Sequence, residues 1–153
     1  MSNEIPGIDL LRETKGRILG VDFGDTRTGL ALSDPSRFLA SGIGTVSPGG
    51  IEKTADKVAE IAMEQRASSI VVGLPRNMDG SEGFRAQRCL EFAELLRNRL
   101  PNATVVMADE RLTTVSASRY LNETNTRGSK RKGVIDTLAA EIILQNALDR
   151  LKH

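Results

Sequence analysis

Two six-residue runs restrict the fold of this chain more than anything else in it. Ser69–Leu74 (SIVVGL) and Ala103–Ala108 (ATVVMA) are short, rich in β-branched residues and almost wholly apolar. A strand without a polar face is buried on both sides, as in parallel sheets covered by helices. Between the two runs, Phe84–Leu100 carries Cys89, Phe92, Ala93, Leu96 and Leu100 on one stripe, and Pro101-Asn102 ends it. Such an interposed helix predicts a parallel pair.

The upstream part reads differently. Arg17–Phe23 (RILGVDF) and Thr28–Ser33 (TGLALS) are strands joined by the short turn Gly24–Arg27, which predicts a hairpin. A third extended segment, Phe38–Val46, stops at Ser47-Pro48-Gly49-Gly50. Ile51–Arg66 then places Ala55, Val58, Ala59, Ile61 and Ala62 at helical spacing. Thr113 and Thr114 can cap a short helix reaching Leu121, and Val134–Leu151 forms a last helix with Ile135, Leu138, Ile142 and Leu148 inward. The order βββαβαβ followed by two helices predicts an α/β fold: a five-stranded mixed sheet with helices on both faces.

At 153 residues, with no internal repeat and no linker, the chain reads as one domain over 17–153, preceded by a flexible polar segment over 1–16. That segment has no apolar stretch of the signal-peptide kind, and no run is long enough to span a membrane, so a cytoplasmic protein is expected. The lone Cys89 reads as a small core residue and fits a reducing compartment.

The only histidine is His153, so no Ser-His-Asp triad, Cys-His dyad or His-rich zinc site can be assembled. Carboxylates remain. Asp22 lies inside the first strand, sharing a face with Ile18 and Gly20, where an isolated charge is costly unless bonded or bound to a cation. Asp109 and Glu110 follow a buried strand at its carboxyl end, and alternation lets only one of them face Asp22. Asp136 is expected in the first turn of the last helix. Three such acids repel one another unless cations bind, and hard oxygen ligands suit Mg²⁺ or Mn²⁺. Two such ions can drive phosphodiester hydrolysis.

Net charge is only +1, so attraction to nucleic acid has to come from a patch. Glu123–Lys132 holds four basic residues and one acid, and Arg127–Lys132, with Lys130, Arg131 and Lys132, reads as a mobile basic flap. The loop Arg76–Gly83, with Asn77 and Ser81 among its glycines, is expected to line the same cleft and approach phosphates.

Four blocks in order, Asp22–Asp34 (DFGDTRTGLALSD), Val72–Glu82 (VGLPRNMDGSE), Asp109–Thr114 (DERLTT) and Lys132–Asp136 (KGVID), resemble the YqgF (RuvX) family over residues 17–150. The resemblance implies an RNase H-like fold and a divalent-metal-dependent endonuclease that processes the 5′ end of pre-16S ribosomal RNA in ribosome biogenesis. A Holliday-junction resolvase acting on branched DNA is the alternative, and a non-catalytic RNA-binding protein or an ATP-binding actin-like or Hsp70-like module is a weaker one. The family's catalytic and metal-binding acids fall on Asp22, Glu110 and Asp136, with Asp109 the alternative to Glu110. Nucleic-acid contacts fall on Arg27, Asn77, Ser81, Arg111, Lys130, Arg131 and Lys132. Where the family usually has Lys-Arg in the first loop, this chain has Thr26-Arg27.

Overall fold

A computed structural model of the chain describes residues 5–75, 83–109 and 128–152, the side chains of 128–133 excepted. The hairpin reading holds. β1 (Ile18–Asp22) pairs antiparallel with β2 (Thr28–Ser33), and β2 pairs antiparallel with β3 (Ala40–Val46). α1 (Ile51–Glu64) crosses to β4 (Ser69–Leu74), parallel to β1, and α2 (Phe84–Arg99) crosses to β5 (Thr104–Asp109), parallel to β4. The five strands lie in the order β3-β2-β1-β4-β5, and α3 (Gly128–Leu151) follows. The sheet is therefore mixed, as the sequence predicts, and helices cover both faces.

Alternation along β1 sorts the two cores. Leu19, Val21 and Phe23 face α1 and α2, packing with Ile70, Val72, Val58, Phe92 and Leu96, and the Phe23 and Phe92 rings stack with centroids 4.4 Å apart. Ile18, with Val71 and Val106 beside it, faces α3 through Ala140, Ile143, Leu144 and Leu148. This second interface is tight because it is built from small residues. A Cβ on Gly20 would fall 2.7 Å from that of Leu144, and one on Gly42 would fall 2.5 Å from Thr137 Cγ2. Among the described residues no helix is long and apolar enough to cross a membrane.

Three expectations need correction. The last helix starts at Gly128 rather than Val134, so the backbone of Lys130, Arg131 and Lys132 is helical and not a loop, and Asp136 lies past the second turn rather than in the first. Its inward stripe is Ala139, Ala140, Ile143, Leu144, Ala147 and Leu148, while Leu138 is exposed. The large aliphatic side chains misled the periodicity because the glycine-bearing sheet below selects alanines at closest approach. Residues 8–13, inside the segment expected to be flexible, form a 3-10 helix with Leu11 fully buried. Arg12 donates to the carbonyls of Leu151 and Arg150 at the end of α3, and Arg37 donates to the carbonyls of Gly16 and Leu11 and to Thr14 Oγ1. The helix expected after Thr113 lies outside the described residues.

Both sheet edges are engaged. On the β5 side, the Met107 amide donates to the Pro6 carbonyl, and Gly7 bridges in parallel. On the β3 side, the Ala40 and Gly42 amides donate to Gln145 Oε1 and Glu141 Oε1, one turn apart on α3.

Candidate active site

β1 carries Asp22 to its carboxyl end, on the face shared with Ile18 and Gly20, and leaves it 6% exposed. Its antiparallel partner is Gly29 of β2. Gly29 is where α3 comes nearest the sheet: a Cβ there would stand 2.0 Å from the Asp136 carbonyl oxygen. Two acids distant in sequence thus flank a single glycine, Asp22 across the ladder and Asp136 across the helix–sheet interface.

The turn between β1 and β2 supplies a cation to the same place. Gly24 fits because a Cβ would meet the Arg27 carbonyl oxygen at 2.4 Å, and the Gly24 carbonyl accepts from Thr28 Oγ1. This tight turn aims Arg27 inward, where its Nε donates to Asp136 Oδ2 at 3.0 Å, with the two side chains only 27% and 20% exposed. Asp25 points the other way, to Arg88 of α2 at 3.2 Å, and Arg88 also reaches Glu91. A cleft of about 590 Å³ opens beside that pair, lined by Asp25, Phe84, Gln87, Arg88 and Glu91.

Register separates the two acids that the sequence leaves as alternatives. Leu74 of β4, whose side chain joins the α1/α2 core, is the partner of Asp109 on β5. Asp109 is therefore on the sheet face opposite Asp22, and it is exposed. Glu110, Asn77, Ser81 and Arg111 lie outside the described residues. Among the described residues no group of three or more His, Cys, Asp or Glu is gathered for a metal ion. The pair Asp22 and Asp136 nonetheless suits a hard cation by donor type, and a cationic group, the Arg27 guanidinium, already rests on Asp136.

The pairing of Arg27 with Asp136 and the docking surface at Gly29 are not evident from strand patterns. Gly29 is visible only as a small residue inside an apolar strand, a known mark of close backbone approach.

Residues 16–150 match the family model described as RuvX, Holliday junction resolvase. The chain belongs to the RuvX family. Relatives from Acetivibrio thermocellus and Ruminiclostridium cellulolyticum, each carrying the name "Putative pre-16S rRNA nuclease", are 40% and 43% identical over 87% and 88% of this chain, and 95% of each relative is covered. A relative of the same name from Clostridium novyi is 42% identical over 88% of this chain and 99% of its own. Among solved structures, RuvC of Thermus thermophilus in complex with a Holliday junction substrate aligns with a TM-score of 0.53 at 13% identity, covering 89% of this chain and 96% of RuvC. That likeness establishes the RNase H-like fold.

Proposed function

We propose that this RuvX-family chain is a divalent-metal-dependent endonuclease acting on the 5′ side of the 16S ribosomal RNA precursor in the cytoplasm. The observation that carries the reading is the convergence of Asp22 and Asp136 on Gly29 at the carboxyl end of a parallel pair, where α/β sheets hold their ligands. Asp109 faces away, which supports Glu110 as the third acid. Asp22, Glu110 and Asp136 would hold Mg²⁺ or Mn²⁺. Ions bound there would lower the pKa of an attacking water and stabilise the departing oxygen.

The protein's own groups do the rest. Carboxylates fixed by a strand and a helix are preorganised, so little reorganisation accompanies the reaction. Lys130, Arg131 and Lys132, on the first turns of α3, lie six to four positions before Asp136 and draw the phosphate backbone toward it. Arg27 and Arg111 add cations, and Asn77 and Ser81 add polar contacts to the backbone. The names of the curated relatives favour RNA over the branched DNA of the family description.

The test is cleavage of three matched substrates, a 5′-extended 16S precursor fragment, a single-stranded RNA and a four-way DNA junction, with Mg²⁺, Mn²⁺ or EDTA. Cutting of the precursor that EDTA stops and Asp22→Asn abolishes is expected. Preferential cutting of the junction reassigns the substrate, and cutting that persists in Asp22→Asn removes the acids from the chemistry.

A further inference from the structure

Arg27 sits where a phosphate-binding arginine has no need to be. Its Nε bonds Asp136 Oδ2 at 3.0 Å in a partly buried setting, and the turn that carries it is closed by hydrogen bonds between Gly24 and Thr28. From this contact we infer that Arg27 is a resident counter-ion of the acid site, exchanging between Asp136 and a substrate phosphate, so that nucleic acid and divalent cation load the site together. The inference rests on the reading of Asp136 as a metal ligand.

The argument is electrostatic. A guanidinium in contact with one carboxylate oxygen and a divalent ion on the same carboxylate repel at a few ångströms, where screening is weak in a partly buried site. The ion therefore binds at the cost of displacing Arg27. A phosphate diester gives the displaced guanidinium a partner of the same charge as the carboxylate, whose two non-bridging oxygens arginine engages through two N–H bonds. Each ligand removes an obstacle to the other, and linkage makes the effect reciprocal. The turn permits the exchange: Arg27 ends a four-residue turn whose own bonds, between Gly24 and Thr28, do not involve its side chain. Without nucleic acid Asp136 stays neutralised by Arg27, and free cation is held weakly.

Mn²⁺ binding, followed by the electron paramagnetic resonance of the free ion, separates this inference from the reading beneath it. In the full chain without nucleic acid, Arg27→Gln is expected to bind Mn²⁺ about tenfold tighter than the unaltered protein. Asp136→Asn is expected to bind it at least tenfold weaker, and Arg27→Gln is expected to add nothing in the Asp136→Asn background. In EDTA, Arg27→Gln is expected to weaken binding of a fluorescein-labelled single-stranded RNA several-fold. Mn²⁺ affinity unchanged or reduced by Arg27→Gln, with Asp136→Asn still weakening it, overturns the counter-ion role and leaves the nuclease reading intact. Affinity unchanged by Asp136→Asn overturns the metal-site reading itself. RNA binding in EDTA unaffected by Arg27→Gln removes the exchange onto phosphate. Circular dichroism of each variant confirms that the fold is retained, and Arg27→Lys, which keeps the charge, is expected to restore the weak Mn²⁺ binding.

Discussion

Gly29 and Asp136 meet backbone to backbone: the space a Cβ on the glycine would need is filled by the Asp136 carbonyl oxygen, 2.0 Å away. Because Gly29 is also the ladder partner of Asp22, this one approach sets the spacing of two candidate catalytic acids. Gly29→Ala is expected to push α3 off the sheet and cost about 1–3 kcal/mol, a drop in Tm of about 2–12 °C. Gly7→Ala, with nothing within 4 Å of the added carbon, is the control. Differential scanning calorimetry of the two variants makes the comparison, and an unchanged Tm for Gly29→Ala would show that the helix has slack there.

Asp22→Asn keeps the shape of a side chain that is 6% exposed and removes its charge. Cleavage is expected to fall by at least a thousandfold while the thermal transition moves by a few degrees at most. Turnover within tenfold of the unaltered protein, measured at saturating substrate, excludes Asp22 from the reaction.

Leu11 is fully buried between the N-terminal turn and α3. Leu11→Ala is expected to destabilise the chain by about 2–5 kcal/mol, as deletion of a core leucine does. Urea unfolding measures it. A change below about 0.5 kcal/mol would mean that the segment contributes nothing to the fold.

Asp34 accepts from the amides of Phe38 and Leu39 at 2.8 and 2.9 Å and of Ser36 at 3.2 Å. These bonds, the one from Leu39 first, hold its carboxyl below the usual 3.8, against a smaller opposing effect of desolvation. A carboxylate whose folded pKa is depressed contributes in full above its unfolded value and loses that contribution as pH falls through the lower, folded one. The turn over residues 34–39 is therefore expected to loosen only below about pH 4. Titration of the Asp34 carboxyl carbon by NMR checks it, and a midpoint at or above 3.8 contradicts the bonding.

Replacing Lys130, Arg131 and Lys132 with Ala is expected to weaken nucleic-acid binding evenly across sequences. The salt dependence should flatten by about 0.7 to 0.9 in log–log slope for each phosphate that the protein no longer neutralises. Cleavage per bound complex is expected to change little. Unchanged affinity with collapsed turnover assigns these residues instead to the placement of Asp136.

The parallel half of the sheet is legible because SIVVGL and ATVVMA have no polar face, and the hairpin because a four-residue polar turn joins two apolar runs. Asp22 stands out by the same logic, as a charge in a buried strand. The face of α3 does not, since Leu138 and Ile142 outweigh Ala139 and Ala140 in hydrophobicity while the glycines opposite reward the smaller residues. Ile8, Leu10 and Leu11 are the signal that the N-terminal turn packs, and the polar residues around them mask it. Arg27 could not be assigned to Asp136 from sequence, because 109 positions separate them and only the docking of α3 on the sheet at Gly29 joins them.

An open sheet of five strands is exposed to recruitment by any extended chain it meets. With the Met107 amide taken by Pro6 and the Ala40 and Gly42 amides taken by Gln145 and Glu141, a passing strand finds those donors already satisfied at both ends of the sheet. The helix that carries Asp136 is the same one that closes the β3 side, so loosening α3 would expose an adhesive border as well as disperse the acids. Loss of activity and self-association would then arise from a single event.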